Sequence, residues 1–190
     1  MKRDAERTVQ ALINAAEKLM TECDDPSEVT ARAITKEAGV NLAMINYFFG
    51  SREELLFNVF EKLKQDAMDS DSSLEEIISG DLSPKDKLIE IHIKSISLML
   101  DNYNLCRAIT KYILINRSIQ ADRGSLRFIT EHFGERKSIN ECRLIAFEIS
   151  SLHELAVLRH EELRELGIEL ADKEVLRRFV TDNINRYLGE

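Results

Sequence analysis

Tryptophan is missing from this chain, and its 190 residues include only two prolines and seven glycines. So few chain breakers exclude a loop-rich or low-complexity architecture. Leu, Ile, Glu, Lys and Ala fill the space, and these residues favour helix. No stretch alternates apolar and polar residues with a period of two, so sheet classes drop out. No apolar run approaches the roughly 18–20 residues of a membrane span. The opening MKRDAERTVQ has no apolar signal core, so the expected location is cytoplasmic and no membrane partner is expected. Cys23, Cys106 and Cys142 are odd in number, far apart and outside any CxxC pair. That excludes a disulfide framework and fits thiols acting as small buried hydrophobes in a reducing compartment.

The signatures of chemistry are lacking too. None of His92, His132, His153 and His160 lies in HExxH or follows a Glu at the Glu-x-x-His spacing, so the di-metal carboxylate bundle is excluded. His153 and His160 lie seven apart with no thiol or third His beside them, and each is read as solvated or hydrogen-bonded. There is no Gly-rich phosphate loop and no GxSxG. The chain is expected to be no enzyme, with no metal and no cofactor. An excess of basic charge is also missing, with 26 Lys and Arg against 34 Asp and Glu, a net charge of −8. Residues 1–65 hold 9 against 11 (−2), and residues 66–190 the remaining 17 against 23 (−6). Nucleic-acid binding would therefore rest on a few placed cations, Lys2, Arg3, Arg32, Lys36 and Arg52, and on helix N-termini.

What is present is the stretch TARAITKEAGVNLAMINYFFGSREELL, Thr30 to Leu56. Thr30 is a helix cap, and Ile34 and Ala38 share one face of the helix it starts. Gly39 follows where a helix end wants a left-handed residue. Asn41 opens a second short helix with Ile45, Phe48 and Phe49 on its apolar face. Ser51 with Glu54 three residues on is the capping-box pattern for a third. Two short helices about a Gly turn form a helix-turn-helix, whose second helix enters the DNA major groove. Geometry alone leaves a plain helical domain open.

The same residues resemble the DNA-binding domain of the tetracycline-repressor (TetR) family of one-component regulators. Thr30, Arg32, Ile34, Ala38, Gly39, Val40, Ile45, Phe49, Glu53 and Leu55 fit its pattern without gaps. Thr35, Asn41, Ala43, Asn46 and Arg52 depart from it, and Tyr47 keeps an aromatic beside the family's frequent first Tyr. The resemblance fades after about residue 65. It implies an all-α fold in two parts: a three-helix DNA-binding domain at 1–65, with its motif at 30–49, and an effector-binding and dimerisation domain at 66–190. It further implies a transcriptional repressor that leaves a palindromic double-stranded operator when a small effector binds. Asn41, Leu42, Ala43, Met44 and Tyr47 are then expected to face the groove, with Thr30, Arg32, Asn46 and Arg52 at the DNA backbone.

Elsewhere, Val9, Leu12, Ile13, Ala16, Leu19 and Met20 form the stripe of a helix over 4–22. The helix from Ser51 runs to about Met68, broken by SDSS at 70–73. Further helices follow at 73–80, from Ser83-Pro84 to about Asp101, and at 103–119. Residues 120–137 suggest one more short helix, from Leu126, Phe128, Ile129 and Phe133. Ser138 and Glu141 open a helix to about Arg159. The polar HEELRELGIELAD leads to Asp172 and a last helix. The apolar set Ile96, Met99, Tyr103, Cys106, Ile109 and Tyr112 is the candidate pocket for a small apolar effector of unread identity. Two apolar stripes on 138–159 and one on 172–188 suggest a homodimer through a four-helix bundle, with Phe147, Leu155, Phe179 and Ile184 at the seam. A helical protein–protein module and a small-molecule carrier without DNA binding are the alternatives.

Overall fold

The structure, a computed structural model, describes residues 2–70, 72–116, 119 and 124–189, with the backbone alone at 2, 3, 68, 69 and 72–75. The side chains of Lys2, Arg3, Met68 and Ser73, with Asp71 of the expected break and residues 120–123, thus lie outside the described residues. Among the described residues the chain is helical and has no strand. The helices are α1 (Lys2–Glu22), α2 (Ala31–Ala38), α3 (Ala43–Phe49), α4 (Arg52–Ser70), α5 (Ser72–Ser79), α6 (Pro84–Asp101), α7 (Tyr103–Asn116), α8 (Leu126–Phe133), α9 (Ile139–Leu158), α10 (His160–Glu165) and α11 (Lys173–Leu188). Short 3₁₀ turns lie at Pro26–Glu28 and Gly134–Arg136. No helix among the described residues is long and apolar enough to cross a membrane.

The chain folds as two compact units. The first comprises Met1–Asp69 and Asn102–Ile113, and the second Ser70–Asp101 and Leu114–Glu190. In the first, α1 packs on α2 and α3. Leu12, Ala15, Ala16 and Met20 of α1 are buried with Ile34 and Ile45, as an amphipathic stripe at spacings of three and four requires. Leu55, Leu56 and Val59 bury one side of α4 completely, and Lys62 ties that helix to α1 through Glu17 at 3.0 Å. α7 joins this unit by polar straps: Asn104 Nδ2 donates to the Cys23 carbonyl at 2.8 Å and Arg107 reaches Asp25 at 3.3 Å.

In the second unit α6 is central, packing on α5, α8, α9 and α11. Leu88, Ile89, His92, Ile96 and Met99 form its buried face. Ser138 and Glu141 close a full capping box at the start of α9, and the Asp172 carboxylate accepts from Glu174 N and Val175 N to start α11. α10 is absent from the sequence reading, which takes HEELRELGIELAD as a polar connection. Its six residues are too few to show a periodicity. They hold because Gly167, at φ 80°, ends the helix, with its N–H on the Arg164 carbonyl and Ile168 N–H on the Leu163 carbonyl. Leu170, fully buried, then anchors the return.

Candidate nucleic-acid interface

The region is built from its caps. Thr30 Oγ1 accepts the Ala33 N–H at 3.2 Å and starts α2. Gly39, at φ 67°, stops it. Its N–H bonds to the Lys36 carbonyl and the Val40 N–H to the Thr35 carbonyl, the two bonds of a Schellman motif. Asn41 Oδ1 then accepts the Ala43 N–H at 2.8 Å, an Asx turn that aims the chain into α3. Thr35, where the family pattern has Ala, is buried, and its hydroxyl donates to the Ala31 carbonyl at 2.9 Å. Ser51 Oγ accepts the Glu54 N–H at 3.0 Å and opens α4.

α3 divides into two faces. Ile45 points inward and is 1 % exposed, with Phe48 and Phe49 half-buried beside it. Asn41, Leu42, Ala43, Asn46 and Tyr47 are exposed and Met44 half-exposed. Leu42 leaves 44 % and Tyr47 77 % of its surface open, large for an apolar and an aromatic side chain. Tyr47 lies edge-on to Phe48, ring centroids 4.8 Å apart. Thr30, Arg32 and Lys36 are exposed on or beside α2.

Arg52, expected near the DNA backbone, is engaged within the chain. Its Nη2 donates to the Pro26 carbonyl at 2.6 Å and its Nη1 to Glu53 at 3.1 Å, while Nε donates to the Val29 carbonyl. With only 20 % of its side chain exposed, it clamps the loop ahead of α2 onto the start of α4. The fork of five donors suits this task, since two turn carbonyls and a carboxylate lie within its reach.

The remaining candidates fall in both units. Of the expected effector set, Ile96 and Met99 lie in the second unit and Tyr103, Cys106, Ile109 and Tyr112 in the first. Ile96, Met99, Cys106 and Ile109 are buried. Tyr112 has a task the sequence did not signal. Its hydroxyl donates to Glu54 of α4, and that carboxylate raises the phenol above its usual pKa. Of the expected seam, Ile184 is 0 % exposed in the single chain. The stripe of α11 is amphipathic in the ordinary sense, its outer positions being Arg177, Arg178, Asp182 and Arg186. Phe179 is half-buried, its ring 6.0 Å from that of His153. On α9, Leu144 and Leu155 are exposed and Phe147 half-exposed, at spacings that share one face.

Two histidines far apart in sequence meet in the second unit. His92 and His153 are both buried, with their Nδ1 atoms 2.9 Å apart, and His92 Nε2 lies 2.9 Å from Ser125 Oγ. His153 Nε2 has no partner among the described residues. Burial pushes His92 down to about 3, with a smaller contribution from His153, and burial pushes His153 down to about 4. Both rings are therefore neutral near neutral pH. One donates to the other. Among the described residues no three His, Cys, Asp or Glu side chains gather as a metal site.

Residues 12–59 match the family described as bacterial regulatory proteins, tetR family. A TetR transcriptional regulator from Rhodococcus sp. RHA1 superposes with a TM-score of 0.58 at 16 % identity, over 98 % of this chain and 99 % of its own. A TetR-like transcriptional regulator from the same organism gives 0.51 at 14 % identity, over 94 % of each chain. No curated protein sequence matches. Residues 12–59 thus resemble the N-terminal, helix-turn-helix part of tetR-family regulators, and the chain along its length shares the fold of two solved regulators of that kind.

Proposed function

We propose that this protein is a dimeric repressor that reads a palindromic DNA site through α3 and leaves it when a small apolar effector binds. The observation that supports the reading most is Tyr47, an aromatic side chain 77 % exposed on the second helix of the motif. A free surface gains nothing from such a ring, whereas a groove edge does. With Leu42 it offers apolar contacts to thymine methyls, and Asn41 and Asn46 offer the paired donor and acceptor that suit adenine. Few cations accompany them, so affinity leans on base contacts and shape more than on phosphate neutralisation, and its salt slope should be shallow. Arg52 enters as the clamp that fixes the motif's entry loop rather than as a phosphate contact.

The dimer seam we propose centres on the exposed face of α9, with Leu144, Phe147 and Leu155, beside Phe179 of α11. Two copies related by a two-fold axis match half-sites one DNA turn or a multiple apart.

Footprinting of the DNA flanking the gene, repeated across salt concentrations, tests the reading directly. A protected palindrome supports it; uniform, sequence-independent retention of DNA overturns it. Leu155→Glu should give monomers by light scattering with helix content unchanged, and an intact dimer would move the seam elsewhere.

A further inference from the structure

The first unit contains a feature that DNA reading does not use. A cleft of about 600 Å³ opens beside the C-terminal end of α3, within the ~300–1,000 Å³ of small-molecule sites. Val9, Phe48 and Phe49 supply apolar lining, Glu54, Asn58 and Tyr112 polar lining, and the Gly50–Ser51 turn forms part of the wall. Among the described residues that line it, Glu54 is the one charged group. Its carboxylate sits in the first turn of α4, where it accepts a hydrogen bond from the Tyr112 hydroxyl. Asn58 is fixed by its own Nδ2, which donates to the Glu54 carbonyl at 2.7 Å.

A carboxylate among three aromatic rings selects for charge and shape together. An ammonium group gains the carboxylate directly and the faces of nearby rings by cation–π attraction. An anion meets Glu54 as a like charge, and a neutral molecule gains only the apolar lining. We propose that this cleft binds a small organic amine with an apolar body, its ammonium group on Glu54 in place of the Tyr112 hydroxyl. The site is separate from the effector set read from the sequence, sharing only Tyr112 with it, and does not depend on DNA binding.

The exchange has a consequence for the motif. Gly50 N–H caps α3 on the Asn46 carbonyl at 3.1 Å, and Gly50 lines the cleft. Tyr112 belongs to α7, which holds Cys23 and Asp25 through Asn104 and Arg107. An amine on Glu54 would therefore release one strap between α7 and α4 at the base of the recognition helix.

Benzylamine and its neutral counterpart benzyl alcohol are suitable probes, titrated into the ¹⁵N-labelled full chain without DNA. Benzylamine should shift the backbone amides of Phe49, Gly50, Ser51 and Asn58 saturably, with benzyl alcohol at least tenfold weaker. Glu54→Gln keeps a partner for Tyr112 and should reduce benzylamine to the level of the alcohol. Tyr112→Phe keeps the ring and removes the competing hydroxyl, so it should tighten benzylamine about threefold. Equal binding of amine and alcohol, shifts confined to residues outside the cleft, or weaker binding by Tyr112→Phe would each overturn the proposal. Should Glu54→Gln fail to fold, the probe pair and Tyr112→Phe decide it alone. None of these outcomes bears on the DNA-reading proposal, which the footprint tests separately.

Discussion

The two units differ in which polar side chains they bury. In the first, the buried polar side chains among the described residues are Thr35 and Thr110, whose hydroxyls donate to the backbone of their own helices, while Thr30, Asn41 and Ser51 close helix ends and Leu42 and Tyr47 are left out in solvent. In the second, polar side chains go inside: His92, Ser125, Ser150, His153 and Asn183 are all buried. An apolar group held outward contributes nothing to the fold and points to recognition. A polar group held inward must be hydrogen-bonded to be tolerated and makes the fold sensitive to its protonation. The second unit therefore holds a core with buried ionisable rings, His92 and His153, whereas the buried polar groups of the first are hydroxyls that do not titrate in the physiological range.

The largest test of this contrast is Ile184→Ala. A fully buried isoleucine should cost about 2–5 kcal/mol when truncated, seen as a lower denaturant midpoint with the dimer unchanged by light scattering. A variant of normal stability that dissociates would return Ile184 to the seam and blur the difference between α9 and α11. Next comes pH. His92 and His153 titrate well below the unfolded value of about 6.5. The unfolded chain therefore binds more protons in the window between, and stability is present above about pH 6.5 and lost as pH falls toward 4. By pH 5 the loss should reach about 2 kcal/mol per histidine. His153→Gln should flatten that slope in urea titrations; an unchanged slope would mean that the pair is not the source.

On the surface of the first unit, Tyr47→Ala should weaken operator binding by roughly 1–3 kcal/mol while leaving the melting temperature alone. A drop in melting temperature would show that the ring supports α3 rather than reading DNA. The smallest effect belongs to Gly39→Ala. A Cβ there meets nothing within 4 Å, so only the φ of 67° opposes it, a cost of about 1 kcal/mol. A loss several times larger by thermal melts would mean that the turn is strained in some further way.

Much of the first unit was legible because its signals are local. Thr30, Gly39 and Ser51 act within three or four residues of themselves, and the apolar stripe of α1 repeats every turn. The starts of α6, α9 and α11, at Ser83-Pro84, Ser138 and Asp172, were legible for the same reason. The short α10 was not, since six residues show no period. The part Arg52 plays within the fold was not legible, because the carbonyls of Pro26 and Val29 that hold it lie more than twenty positions away. The burial of Ile184 was not legible either, because a helix stripe tells which residues are apolar, not whether their cover comes from the same chain or another.

The sequence by itself determined the helical class, the order and most ends of the helices, and the helix-turn-helix, because caps, turns and periodicity depend on neighbours along the chain. Only the tertiary structure decided that Tyr112 meets Glu54 and that His92 meets His153, pairs separated by 58 and 61 residues. Contacts of that range depend on how whole helices pack, and no spacing rule along a single chain encodes which far side chain a given one will face.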